Sequence, residues 1–252
     1  RIKWFKNTNF KWTTSFNIST VDSKVTDLKG LGSDFSVGEL ALAQKIGYST
    51  TTVWGIKWVG VDPATGRDLV TKNAQVYDLA TYKSLFSEAD WEPIGDTQAK
   101  AYGGFYNNFT FYNNLSLSFR GDFQLGGDYF ASDVLIDKYN NTINRNLSVN
   151  AANHWRNPGD VVPYPAVTAS LVTANLSKYV YDATYIRLSN INLSYNVPIK
   201  NIFLDRLSVF ADATNVLYWY KEKSPKGMNG IREFRYTYPQ ARTISLGVNA
   251  KF

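Results

Sequence analysis

The sequence predicts an all-β chain: a segment of an antiparallel transmembrane β-barrel with long extracellular loops. Three observations carry that expectation. Thr243 to Phe252 alternates without a break, with Ile244, Leu246, Val248, Ala250 and Phe252 on one face and Thr243, Ser245, Gly247, Asn249 and Lys251 on the other. Such alternation over about ten residues is the length of a tilted strand crossing a bilayer. Apolar residues make up 44% of the 252, yet no run approaches the ~18 uninterrupted apolar residues of a membrane helix. Short connections also alternate with long ones, and every long one falls on the same side of the strands, as in outer-membrane barrels.

The strands follow the same logic in chain order. Arg1–Trp4 reads as the end of a strand, followed by a short connection over Phe5–Asn9. Phe10, Trp12, Phe16 and Ile18 then oppose Lys11, Thr13, Ser15, Asn17 and Ser19. Phe105, Phe109 and Phe111 oppose Tyr106, Asn108, Thr110 and Tyr112 across a short turn from Leu115, Leu117, Phe119, Phe123 and Leu125, whose opposite row is Ser116, Ser118, Arg120, Asp122 and Gln124. In Tyr185–Val197 the phase slips once, from Ile186 and Leu188 to Ile191, Leu193, Tyr195 and Val197, which predicts a β-bulge near Ser189 and Asn190. Leu207, Val209, Ala211 and Ala213 oppose Ser208, Asp212 and Thr214, with Phe210 out of place.

The long outer loops cover about 21–101, 126–184 and 218–242, and a compact domain rarely carries structureless connections of that length. The first is expected to hold a hairpin, Thr52–Gly60 with Arg67–Val70, turned by VDPATG. Asp137–Trp155 is expected to form an irregular helix. Six full strands and a truncated seventh cannot close a barrel, since the smallest have about eight. An open sheet in lipid leaves unpaired backbone groups costing several kcal/mol each. The chain is therefore expected to need further strands, from the same polypeptide or a partner.

Composition narrows the functional classes. The net charge of +6 is scattered, so a nucleic-acid-binding stripe is not expected. There is no cysteine and one histidine, His154, which removes thiolate metal sites, a catalytic His triad and a His-rich centre from the chain. No G-x-S-x-G or P-loop spacing occurs, no cofactor is implied, and no enzyme is expected. Glu88, Asp90 and Glu92 could offer carboxylates to calcium but read better as a solvated acidic loop.

Seven phrases in order resemble the C-terminal third of SusC/RagA-type TonB-dependent transporters of the Bacteroidetes outer membrane: FKWTTSFNISTVDSKVTDL, GIKWVGVDPATGRDL, YGGFYNNFTFYNNLSLSFRGDFQLGG, NHWRNPGD, YIRLSNINLSYNVP, LSVFADATNVLYW and YPQARTISLGVNAKF. The resemblance implies a roughly 22-stranded barrel, filled by a plug and energised through TonB. It implies a SusD-like surface lipoprotein as lid, import of glycans or peptides, and contact with membrane lipid or lipopolysaccharide. The plug, the TonB-contacting region and most of the barrel lie outside these residues. Two alternatives stay open: a non-transporting structural or adhesion barrel, and a soluble β-sandwich binding module.

Candidate residues fall into three groups. Trp91, Trp155, Tyr181, Trp219 and Tyr220 are loop aromatics that could stack on sugar rings, although loop packing or an interfacial girdle also accounts for them. Lys11, Asn17, Arg120, Asp122, Gln124, Asn192 and Asn249 are expected to face the lumen. Phe252, the aromatic on the alternating terminal strand, resembles the signal read by the barrel-assembly machinery.

Overall fold

The computed structural model describes residues 2–6, 9–28, 44–131, 152–167, 174–199, 204–221 and 241–251. Seven long strands form one antiparallel sheet: β1 (Ile2–Lys6), β2 (Phe10–Thr20), β8 (Ala101–Phe111), β9 (Leu115–Leu125), β12 (Tyr185–Val197), β13 (Arg206–Tyr220) and β14 (Thr243–Lys251), paired in that order. The sheet is not closed: β1 and β14 are its edges. The first strand runs to Lys6 rather than ending at Trp4, and it covers Lys11–Thr14 of β2, leaving the rest of that edge open.

The turn between β8 and β9 shows how local sequence sets the register. Tyr112 and Asn113 both have positive φ, 48° and 60°, and Asn114 N–H donates to Phe111 O at 3.1 Å. These two residues are the centre of a primed turn, whose twist matches a hairpin, inside a three-residue connection, Tyr112 to Asn114. From it the pairing runs without slip from Phe111↔Leu115 to Ala101↔Leu125. The slip expected near Ser189 is present: register shifts between Leu188 and Asn190 against both β9 and β13. The extra residue restores Ile186 and Leu188 to the face that carries Ile191 and Leu193.

Paired residues share a face, so the registers sort the sheet into two sides. The apolar side carries Trp12, Phe16, Ile18, Phe109, Leu117, Phe123, Leu193, Val209, Leu246 and Val248. No second layer covers it among the described residues: Phe16 is 59% exposed, Ile244 73% and Leu246 81%. A two-layer sandwich would bury that row. Rings cluster near the short turns, with Trp4–Trp12, Phe10–Phe111 and Trp12–Phe109 at 5.7, 5.1 and 5.4 Å. Asn107 intrudes on this side, but its carboxamide oxygen accepts from Trp12 Nε1 at 3.1 Å and Thr14 Oγ1 at 2.7 Å. The misfit Phe210 lies on the polar side, opposite Gly247, where its ring fills the space a side chain would take.

Two of the long connections hold further elements among the described residues. The first contains β3 (Thr52–Gly55), β4 (Lys57–Val61), β5 (Asp68–Lys72), β6 (Gln75–Asp78), α1 (Leu79–Leu85) and β7 (Glu92–Asp96); the second contains β10 (Asp128–Phe130) and β11 (Val180–Asp182). The expected hairpin exists as β4–β5, but Thr52–Gly55 separates from it and pairs with β7. Asp78 caps α1, its carboxylate accepting from Ala80 N and Thr81 N. Ile56, Val70, Leu79 and Tyr82 from the first connection bury with Ala131, Leu176 and Tyr179 from the second, so both fold as one outer body. The helix expected over Asp137–Trp155 falls mostly outside the described residues.

Candidate functional site

The polar side of the sheet is a ladder of cross-strand rows. Nearest the long connections stand Ser19, Tyr102, Gln124, Tyr185 and Tyr220, and beneath them Asn17, Gly104, Asp122, Arg187 and Tyr218. Next come Ser15, Tyr106, Arg120, Asn190 and Thr214, then Thr13, Asn108, Ser118, Asn192, Asp212 and Ser245. Lys11 lies toward the short turns, where its ammonium donates to Asn113 Oδ1 at 2.6 Å. Asn249 pairs with Ser208 at the same end. All seven residues expected to face the lumen thus share one face, spread along its length.

Their charges are tied into the wall. Asp122 accepts from Arg187 Nε at 2.8 Å and from Tyr185 OH at 3.0 Å. Asp212 accepts from Asn190 and Asn192 at 2.9 and 3.1 Å. Arg120 lies over the Tyr106 ring and Arg187 over the Tyr218 ring, 5.7 and 5.8 Å from their centroids. Tyr218 and Tyr220 stack at 6.1 Å with planes 7° apart, and Tyr220 is 6.5 Å from Tyr185. The long-connection end of the polar face is thus a patch of tyrosines with one arginine and one aspartate among them. Tyr102, Tyr185, Tyr218 and Arg187 were not singled out from sequence. The Ser189 bulge puts Tyr185 and Arg187 in phase with Asn190 and Asn192, whereas Tyr218 and Tyr220 follow Thr214 by plain alternation.

The five loop aromatics do not form one site. Tyr220 joins the tyrosine patch; Trp219, its neighbour, pairs with Ile186 on the apolar side and is 55% exposed. Trp155 docks on the β4–β5 turn, its indole donating to Pro63 O at 2.9 Å and its ring lying where a Gly66 side chain would be. Tyr181 and Trp91 pack against the outer body's core. Trp91 also lines a cleft of about 430 Å³ with Ile56, Tyr82, Lys83, Phe86, Ser87, Glu88, Ala174 and Asn175.

The acidic stretch beside this cleft is used internally. Asp90 accepts from Ser87 N at 3.0 Å, and Glu92 pairs with Lys57 at 2.7 Å and Lys72 at 3.6 Å. The hydrogen bond from Lys57 first, and then the charges of both lysines, hold the Glu92 carboxyl below the ordinary glutamate range. Among the described residues no group of three His, Cys, Asp or Glu side chains is placed to hold a metal. Phe252 lies outside the described residues.

No family model matches the chain. Three curated proteins of Formosa agariphila, TonB-dependent receptors P26, P39 and P3, are 27%, 26% and 25% identical to it over 97%, 99% and 98% of its length. The chain is homologous to TonB-dependent receptors. It spans 27%, 29% and 27% of those relatives, just over a quarter. The structure of the RagAB peptide transporter matches 88% of the chain at a TM-score of 0.71 and 18% identity, the chain covering 25% of it. The RagAB importer matches in its closed-closed state at 0.72 over 87% and in its open-open state at 0.72 over 88%, with 18% and 17% identity. In those two states the chain covers 25% and 24% of the matched chain. At such identity the likeness gives the fold: an open seven-stranded sheet that matches part of a RagA-like barrel.

Proposed function

We propose that the chain supplies wall and outer loops of an outer-membrane, TonB-dependent importer of large nutrients, glycans or peptides, working with a SusD-like surface lipoprotein. The observation that carries this is the two-sided sheet: an uncovered apolar face suited to hydrocarbon, backed by a polar face of paired charges suited to a water-filled lumen. In this reading the apolar row meets lipid and lipopolysaccharide. Lys11, Asn17, Arg120, Asp122, Gln124, Asn192 and Asn249 line the pore, and the tyrosine patch meets ligand near the outer mouth. Further strands pair with the β1 and β14 edges, since unpaired edge groups are costly in lipid. A plug and a TonB-contacting segment belong to the remaining polypeptide. Phe252 serves assembly, so its deletion lowers the amount of protein reaching the membrane.

The test is uptake of labelled oligosaccharides and peptides by cells making the intact protein, with and without TonB. Saturable uptake that disappears with TonB, and co-purification of a surface lipoprotein, are the expected results. TonB-independent uptake, or a correctly assembled barrel that imports nothing, favours the structural or adhesion barrel instead.

A further inference from the structure

The outer-body cleft has a chemistry of its own, apart from the wall. Its apolar floor comes from Ile56, Phe86, Trp91 and Ala174; its rim carries Ser87, Lys83, Glu88 and Asn175. The indoles of Trp12, Trp58 and Trp155 each donate to a protein acceptor. The half-buried Trp91 makes no indole hydrogen bond among the described residues, nor does the Asn175 side-chain amide make one. A half-buried ring beside a cleft with its N–H unspent is poised for a ligand that is apolar on one side and hydrogen-bonding on the other.

Charge and backbone limit what that ligand is. Lys83 and Glu88 bring one charge of each sign, so the cleft does not select an anion or a cation. Much of the main chain along its wall is committed: Ile56 N–H donates to Asn175 O at 2.7 Å, Phe86 N–H to Tyr82 O at 2.9 Å, Ser87 N–H to Asp90 at 3.0 Å and Trp91 N–H to Glu88 O at 3.1 Å. These four donors are closed to an extended peptide, which binds largely through main-chain hydrogen bonds. At about 430 Å³ the cleft holds a small ligand or one unit of a larger one.

We propose that this cleft is a carbohydrate subsite that takes a neutral pyranose ring, its C–H face on Trp91 and its hydroxyls on the Trp91 indole N–H, Asn175 and Glu88. The idea rests on the importer reading for its biological meaning but not for its test. Equilibrium binding to the purified intact protein in detergent needs no TonB and no transport.

Neutral trisaccharides of gluco-, manno-, galacto- and xylo-configuration serve as probes, with trialanine as the peptide control, read by saturation-transfer NMR. At least one sugar is expected to bind, through protons of a single ring. Trp91→Ala should weaken it more than about tenfold, and Trp91→Phe and Asn175→Ala about three- to tenfold each. Val161→Ala, at an exposed position that does not line the cleft, should leave this binding unchanged. Trp91→Phe keeps the packing ring, so a fold defect in Trp91→Ala does not rescue or sink the idea. If no sugar binds, if both Trp91 variants bind as the parent does, or if trialanine alone binds in a Trp91-dependent way, the proposal is overturned. Loss of energised uptake with sugar binding intact instead overturns the importer reading alone.

Discussion

Two glycines on the wall separate a backbone constraint from a side-chain one. A Cβ on Gly121 would lie 2.2 Å from the Phe105 ring and 2.5 Å from the carbonyl oxygen of Arg187, and that carbonyl cannot move without disturbing the strand pair. A Cβ on Gly247 would meet only the Phe210 ring, at 2.4 Å, and a ring at the end of a side chain can turn away. Gly121→Ala is therefore expected to cost more than about 2 kcal/mol, and Gly247→Ala to stay within about 1 kcal/mol. Heat-modifiability of the assembled barrel on gels reads both. A second residue-scale prediction concerns pH. Partial burial pushes the Asp182 carboxyl up, but Lys221 Nζ at 2.5 Å and the Thr184 hydroxyl and N–H outweigh it and hold its pKa at about 2. Its folded value lies below the unfolded ~3.9, so its stabilisation is complete above that value and is lost as pH falls toward about 2. Protection factors around β11, each taken relative to the free-peptide exchange rate at the same pH, should fall between pH ~4 and ~2 in the parent protein, and Asp182→Asn should flatten that response.

Between elements, the outer body depends on a buried ion pair. Lys178 lies in a single turn (Ser177–Tyr179) of the second connection, and Asp68 begins β5 of the first. Their charged groups are 2.6 Å apart, with side chains 6% and 4% exposed. Trp58 Nε1 donates to the same Asp68 oxygen at 2.8 Å, and the ammonium lies 4.9 Å from the Trp58 ring centroid. Burial lowers the Lys178 pKa, against the opposing pull of Asp68. Removing one partner of such a pair strands the other's charge, at about 3–5 kcal/mol, whereas replacing both with apolar residues is often far milder. Asp68→Ala should thus open the outer body to proteases while the wall stays heat-modifiable, and Asp68→Leu with Lys178→Met should restore much of the protection. This pair also marks where sequence reading ends. The wall strands were legible because each alternates over its own residues, and even the bulge at Ser189 announced itself as a slip of phase. The outer body was not, because its core joins residues more than a hundred positions apart and its strands of three to five residues are too short to show a period. For the same reason Thr52–Gly55 looked continuous with Lys57–Val61, although its partner β7 lies far along the chain. The polar-face set could be read from alternation, while Tyr185 and Arg187 needed the bulge at Ser189 to bring them into phase with it.

For the whole molecule, the decisive question is what the uncovered apolar face touches, and neighbouring residues of β14 can answer it. Leu246 lies on that face and Ser245 on the other, paired with Ala211 and Asp212. Both are exposed, so in water an arginine at either position should be equally harmless. In a bilayer the two sides part company. A charged side chain on the lipid face near the midplane costs about 2–4 kcal/mol, whereas one on the lumen face stays hydrated and changes selectivity more than assembly. At Ser245 an arginine also gains Asp212 as a cross-strand partner. Leu246→Arg is accordingly expected to deplete the assembled, heat-modifiable protein from the outer membrane, and Ser245→Arg to leave it near parental levels. Equal tolerance of both would mean that the apolar row meets water or another protein surface rather than hydrocarbon. The roles given to the polar ladder as a pore lining would fall with it.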